Sequence, residues 1–421
     1  MLVARLQMRL QREFGIDVPI KAIYANPTVA GLAEADADAS TTQAVSDATA
    51  GLGDVPAVPE RSATTPPRHV LLTGASGFLG VYLLEALLRR GVRVTCLVRA
   101  RTDEDALRAM RQRATDAGRA IDWQRVDVAR GDLGLPDLGL TAAWRGSLAR
   151  HVDAIVHCGA WVHHRLGYRT LRATNVVATG ALLRLALEAR RKTFCLVSTE
   201  SVGHALQGVS ERGDVAADAA AHPPASDMGY VLSKWVAEQW VADAHRRFGL
   251  DAIIARPGNI TGDTRTGYSN YASNHFWRLV KGCVTMGRYP ETPMTVEMTP
   301  VDVLAERIAA LSTDAAPGLR VANLGNPTRI PWSTLMRQVA EIGGWTIEAC
   351  PAAEWQRALA AVDETHPLWS LRDLYLGDPS AGHGRDLVEA RAPAADVETL
   401  NAEPLLALYV RFLQTEGYLP T

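Results

Sequence analysis

Tyr230 and Lys234 stand four residues apart in GYVLSKWVAEQ, a spacing that puts both side chains on one face of a helix. An ammonium beside a phenol favours the phenolate and draws a group of pKa about 10 toward neutrality, where it exchanges a proton with a carbonyl oxygen. Ten tyrosines and four lysines (Lys21, Lys192, Lys234 and Lys281) would give about 0.1 such pairs by chance, so the pair is informative. The plainer alternative is a tyrosine that only packs. Upstream, the strand-like TFCLV runs into Ser198, Thr199 and Ser201. Hydroxyls at the carboxyl end of a parallel strand face the crevice where ligands bind, and one of these could donate to a substrate carbonyl. Such clusters also cap helices.

A second constellation is TGASGFLG, in which Gly74, Gly77 and Gly80 are spaced G-x-x-G-x-x-G between an apolar strand and a helix. The first glycine permits a tight turn, the second lets the backbone approach a pyrophosphate, and the third lets helix and strand pack closely. An NAD-selective site places an acidic residue at the end of the next strand to hold the ribose 2′-hydroxyl. Here that strand ends CLVRAR, and Arg99 offers a planar fork of donors suited to a 2′-phosphate. NADPH is therefore expected over NADH, against the alternative of a solvated arginine.

The elements that must hold these groups are legible in outline. From His69 the chain reads as strand, glycine turn, helix and strand, with further apolar runs at Ala154–Cys158, Thr193–Val197 and Ala252–Ala255 separated by helical stretches at Asn175–Ala189 and Tyr230–Arg247. Alternation of this kind predicts an α/β, Rossmann-type doubly wound parallel sheet. Beyond Gly262 the pattern loosens, and two more helical stretches, Val303–Leu311 and Trp332–Ile342, bracket a strand-like VANLG. The expected organisation is a small helical unit over 1–36, a flexible linker over 37–68, a coenzyme-binding domain over 69–262, and a smaller, mostly helical substrate subdomain over 263–421 with some segments returning to the sheet. The linker rests on the Ala, Asp, Ser, Thr and Pro content of 37–68, too poor in large apolar groups to fold alone.

Composition excludes several classes. The 421 residues allow two or three domains, and 44 basic against 46 acidic residues give no basic excess for nucleic acid. No apolar run approaches the ~20 residues that span a bilayer, and the first residues lack a secretory pattern. Five scattered cysteines without a Cys-x-x-Cys pair point to a reduced, cytoplasmic protein with no cysteine zinc site. His163–His164 lacks a third ligand at a recognisable spacing, so no metal is expected. Seven of the ten tryptophans fall from Trp235 onward, where they could line an acyl pocket but more often form core.

Taken together, the glycine turn, CLVRA, GDL at Gly131–Leu133, VSTESV, GYVLSKWVAEQ and ARPGNITG resemble the extended short-chain dehydrogenase/reductases, specifically the thioester reductase domain that ends some nonribosomal peptide and polyketide synthetases. The resemblance runs from about residue 69 to the end. Phe14–Gly15 and PTVAGLA at Pro27–Ala33 are similar to the end of a peptidyl carrier domain. By that alignment Met1 directly follows the pantetheine-bearing serine, which implies an excised piece of a larger synthetase or a gene fragment. The resemblance implies a catalytic triad of Thr199, Tyr230 and Lys234. It implies coenzyme contacts from Thr73, Gly74, Ser76, Gly77, Phe78, Leu79, Gly80, Arg99, Asp132, Leu133, Ala160, Asn175, Tyr230 and Lys234, and from Pro257, Gly258, Asn259 and Ile260 beside the nicotinamide. It also implies NADPH-dependent release of a carrier-bound acyl thioester as an aldehyde or alcohol, with a phosphopantetheinyl carrier domain as partner. Where the family often has Arg-Leu, this chain has Ala109–Met110, which leaves a second phosphate contact to Arg108. Two rivals stand beside this reading. A sugar-nucleotide epimerase or dehydratase is opposed by Arg99, and a redox-silent binding or cyclising domain is opposed by Tyr230.

Overall fold

A computed structural model describes residues 29–55, 66–164, 166–205, 228–314, 316–376 and 400–421, together with Leu6, Arg9, Ile23, Pro224 and Ser226. Helix α1 (Val29–Ala50) precedes the alternating series β1 (His69–Thr73), α2 (Phe78–Arg89), β2 (Arg93–Val98), α3 (Asp103–Asp116), β3 (Val126–Arg130), α4 (Ala142–His151) and β4 (Ala154–His157). The series continues through α5 (Tyr168–Arg172), α6 (Ala178–Leu187), β5 (Thr193–Val197), α7 (Glu200–Ala205), α8 (Gly229–Phe248) and β6 (Ala252–Arg256). Residues Ala173–Val177 form a π-helical turn between α5 and α6.

Seven strands form one sheet in the order β3-β2-β1-β4-β5-β6-β9, where β9 is Leu319–Asn323. The pairs from β3 to β6 are parallel, and the order reverses between β1 and β4. In open sheets of this kind the crevice at such a reversal is where ligands bind. The strands are largely apolar, with Val70, Leu71, Leu72, Ile155, Val156, Phe194 and Leu196 buried, as a sheet covered on both faces requires.

The chain divides into two compact units. The first ends at Ala255 and takes back Ala309–Val321; the second comprises Arg256–Ile308 and Ala322–Thr421. The division falls seven residues before the boundary drawn from the sequence after Gly262. The physical reason is local: Asn259 donates its backbone N–H to Glu297 Oε2 at 2.6 Å and its side-chain amide to Glu297 O at 3.2 Å, which fastens Pro257–Ile260 to the second unit. That unit contains α9 (His275–Met286), β7 (Arg288–Glu291), β8 (Thr295–Glu297), α11 (Trp332–Gly343) and a last helix, Ala402–Thr415, with α10 (Val301–Thr313) leading back to the first. Its core is built on Trp277, Trp332, Met336 and Tyr409. Trp235, Trp277 and Trp332 are fully buried, so these tryptophans are core.

The flexible linker expected over 37–68 is corrected in its first part by α1, which continues unbroken to Ala50, while residues 56–65 lie outside the described residues. Ala44, Ala48 and Leu52 are buried in the core of the first unit. Asp47 accepts from Tyr168 Oη at 2.5 Å and from Arg172 Nε at 2.6 Å and Nη2 at 2.9 Å, while Trp240 Nε1 donates to Asp47 O at 2.8 Å. The composition argument fails because it asks whether a segment can bury enough surface against itself. Small side chains let this helix approach a surface already formed by α5 and α8, and hydrogen bonds hold it there. The carrier-like stretch before Val29 lies outside the described residues apart from Leu6, Arg9 and Ile23. No helix among the described residues is long and apolar enough to cross a membrane.

Candidate active site

The glycine turn begins where β1 ends. Gly74 sits at φ +77°, a left-handed conformation, and a Cβ there would lie 2.7 Å from Gly159 N. At Gly80 a Cβ would collide with Gly74 O, so the helix can approach the turn only without one. Gly77 precedes α2 in extended conformation, with no side chain capping the helix, and its own N–H bonds Gly74 O at 2.9 Å. The start of α2, which no side chain caps, follows directly on this turn, and that is the arrangement in which such folds hold a pyrophosphate. Thr73, Gly74, Ser76, Gly77, Phe78, Leu79 and Gly80 form this one turn. Leu133 comes against Gly159, so the end of β3 lies beside it, and Asp132 Oδ1 accepts from Gly134 N at 2.8 Å to hold that end folded.

Arg99 is exposed just past β2 and has no hydrogen-bond or ion-pair partner among the described residues. Arg108, by contrast, pairs with Asp105 at 2.9 Å one turn away on α3.

Catalytic candidates come from α8 and β5. Lys234, 2 % exposed, donates from Nζ to Val197 O at 2.8 Å, which fastens α8 to the strand that leads into Thr199. Burial lowers its pKa to about 8. Tyr230 departs from the expectation of a depressed phenol: burial, helped by the nearby Cys158, pushes it well above its ordinary value. The reason is geometric, since the Lys234 ammonium is directed to a strand carbonyl. Cys158 itself, also near Lys234, is pushed up to about 12 by burial and is not a thiolate at neutral pH. Thr199 is half-buried, and its Oγ1 accepts from Ser201 N at 3.3 Å, so the capping role weighed from the sequence is realised at the start of α7.

Asn175 lies in the π-helical turn, a feature common at functional sites. Its side chain clamps Trp161 from both sides, accepting from N at 2.7 Å and donating to O at 3.0 Å, and also donates to Ser233 Oγ at 3.0 Å. Ala160 is half-buried between that clamp and Gly159. The first unit therefore brings together the glycine turn, Asp132–Leu133, Ala160, Asn175 and the strand end held by Lys234. Pro257, Gly258, Asn259 and Ile260 belong to the second unit.

Four residues escaped sequence reasoning. Ser198 donates to Glu238 Oε1 at 2.5 Å, and Glu238 follows Lys234 by one helical turn, a spacing that could have singled it out. His157 is fully buried, Asp47 anchors α1, and Glu297 holds Asn259; none of these carries a local sequence signal.

The profile of the male sterility protein family of NAD-binding domains matches residues 72–308, and that of the phosphopantetheine attachment site matches residues 1–35. Over all of its length the chain is 28 % identical to L-2-aminoadipate reductase of Schizosaccharomyces pombe, and it spans 33 % of that protein. The terminal R domain from the myxalamid PKS-NRPS biosynthetic pathway aligns with TM-score 0.78 and 31 % identity, covering 90 % of this chain and 99 % of that one. The reductase (R) domain of a nonribosomal peptide synthetase from Mycobacterium tuberculosis aligns with TM-score 0.68 and 28 % identity, covering 90 % and 96 %.

Proposed function

This chain belongs to the male sterility protein family, and from that premise we propose that it is a reductase releasing a carrier-bound acyl or peptidyl thioester, with NADPH as coenzyme. The observation that carries the reading is Tyr230 and Lys234 one turn apart on α8, with Lys234 holding the end of β5 that delivers Thr199, in the same unit as an uncapped glycine turn. The turn fits a dinucleotide because the backbone at Gly74 and Gly80 leaves no room for a Cβ and leads straight into an α2 start that no side chain caps. The exposed guanidinium of Arg99, unpaired among the described residues, favours a 2′-phosphate and so NADPH. The phosphopantetheine-site match at residues 1–35 supports a carrier domain as partner.

When bound, the coenzyme supplies a hydride to the acyl carbon. Tyr230 donates its phenolic proton to the oxygen on which charge develops. Its raised pKa keeps that proton in place until a basic oxygen forms. Thr199 hydrogen-bonds the same oxygen, and Lys234, charged in large part at neutral pH, orients the ribose. Collapse of the hemithioacetal frees thiol and aldehyde, and a second reduction would give the alcohol.

The test is coenzyme oxidation with a simple acyl-pantetheine thioester, NADPH against NADH, with products identified by mass. NADPH-dependent conversion to aldehyde or alcohol is expected. Tight retention of NAD without thioester turnover would instead favour an epimerase-like role.

A further inference from the structure

Between the glycine turn and the catalytic helix lies a set of buried polar groups that hydride and proton transfer do not use. His157, Thr179 and Ser233 are each 0 % exposed, as is Thr73. The Thr179 hydroxyl has one proton, given to Asn175 O at 2.7 Å. Its oxygen therefore accepts from His157 Nε2–H, 3.1 Å away. His157 Nδ1 is then bare and accepts the Thr73 hydroxyl proton at 2.8 Å, while Thr73 Oγ1 accepts from Gly159 N at 2.9 Å. At the other end Asn175 Nδ2 donates to Ser233 Oγ, whose hydroxyl donates to Tyr230 O at 2.7 Å. Every proton has one destination, so the chain runs in a single polarity from the loop at Gly159 to the backbone of Tyr230.

The imidazole fits this only when neutral, because a second ring proton would face the Thr73 oxygen and compete with its donation. Burial, with Lys234 nearby, lowers the His157 pKa to about 3, so the ring is uncharged across the working range. A satisfied polar network in a low-dielectric interior fixes one geometry, because each broken link strands a buried group.

We propose that His157 and Thr179 are positioning residues: the hydrogen-bonded chain Gly159–Thr73–His157–Thr179–Asn175–Ser233–Tyr230 fixes the coenzyme-side loop relative to the catalytic tyrosine. The chain transmits at its middle, so breaking it at Thr179 loosens both ends. The catalytic meaning of the Tyr230 end rests on the function proposed above, whereas the coupling itself does not.

The experiment compares Thr179→Val, Thr179→Ser, Ser233→Ala and the double variant Thr179→Val/Ser233→Ala in the full chain. Amide hydrogen exchange without coenzyme should accelerate in Thr179→Val both at Gly159–Trp161 and at the start of α8, while Thr179→Ser restores protection at both. NADPH titration should show affinity reduced about fivefold in Thr179→Val and within twofold of wild type in Thr179→Ser. With an acyl-pantetheine thioester, kcat should fall about tenfold in Thr179→Val, and the double variant should lose less than the product of the single losses. A lowered Tm with faster exchange confined to the surroundings of residue 179, or multiplicative losses in the double variant, would overturn the proposal. Should Thr179→Val fail to fold, Thr73→Val and Ser233→Ala take its place, each expected to loosen the opposite end, and purely local loosening in both refutes the coupling. Absent thioester turnover in the wild type would overturn the proposed function alone, since exchange and NADPH affinity still decide the chain.

Discussion

Helices α8 and α1 lie against each other in the first unit, yet they are held there by opposite means. Helix α8 is buried over most of its length through large groups such as Leu232, Trp235, Val236 and Trp240, with Lys234 and Glu238 satisfied inside. Helix α1 sets the small side chains of Ala44 and Ala48 into the core and is pinned at Asp47, whose carboxylate lies between Tyr168 and Arg172 and whose carbonyl accepts from Trp240 Nε1. One helix therefore brings its own hydrophobic driving force, whereas the other borrows a surface and adds a polar pin. Apolar content predicts order only for an element that must make its own core.

The difference can be broken first at α8. Tyr230→Phe should lower kcat for thioester reduction by at least about a thousandfold while NADPH affinity and Tm stay near wild type, because the ring is kept and only the proton donor is removed. Near-normal turnover in that variant would remove α8 from the chemistry. In wild type, kcat/KM should decline above about pH 8 as the Lys234 ammonium, whose pKa burial lowers to about 8, loses its proton. A profile flat to pH 10 would contradict a role for that charge.

At α1 the expected signature is stability with little kinetic change. Asp47→Ala strands the Tyr168 hydroxyl and the Arg172 guanidinium and should cost about 2–3 kcal/mol in urea unfolding, with protease cutting appearing within 29–55. Unchanged stability would show that the helix is held without the carboxylate. The carboxyl itself responds to two opposed influences: burial would raise its pKa, but hydrogen bonds from Arg172 and Tyr168 outweigh it and hold the pKa below its ordinary value. A depressed carboxylate stabilises fully above its unfolded pKa, about 4, and that stability is lost as pH falls through the folded value. The difference in stability between wild type and Asp47→Ala should therefore be constant from pH 5 to 7 and shrink below pH 4. The smallest effect belongs to Gln43→Ala, which removes only the 3.2 Å amide contact to Asp47 and should cost about 0.3 kcal/mol.

How much of this was legible varies along the chain. The strand Thr193–Val197 and helix α8, read as Tyr230–Arg247 and found as Gly229–Phe248, were legible from local apolar patterns, which survive in any context that buries the same groups. Helix α5 and the π-helical turn were not, because the sequence reads as one helix from Asn175 and the extra residue in the turn depends on Asn175 reaching Trp161 and Ser233. The Tyr-x-x-x-Lys spacing announced a pair on one face, but only the fold decided that Lys234 turns to Val197 O and leaves the phenol with a raised pKa.

By itself the sequence determined the parallel sheet and the glycine turn, since these depend on backbone sterics and on local apolar patterns that act within a few residues. Tertiary structure alone decided which partners the buried polar groups find. Asp47 meets Arg172 across 125 positions and Thr73 meets His157 across 84. Nothing local encodes such pairs, because a buried hydrogen bond is specified by where two surfaces close and not by the residues on either side of it in the chain.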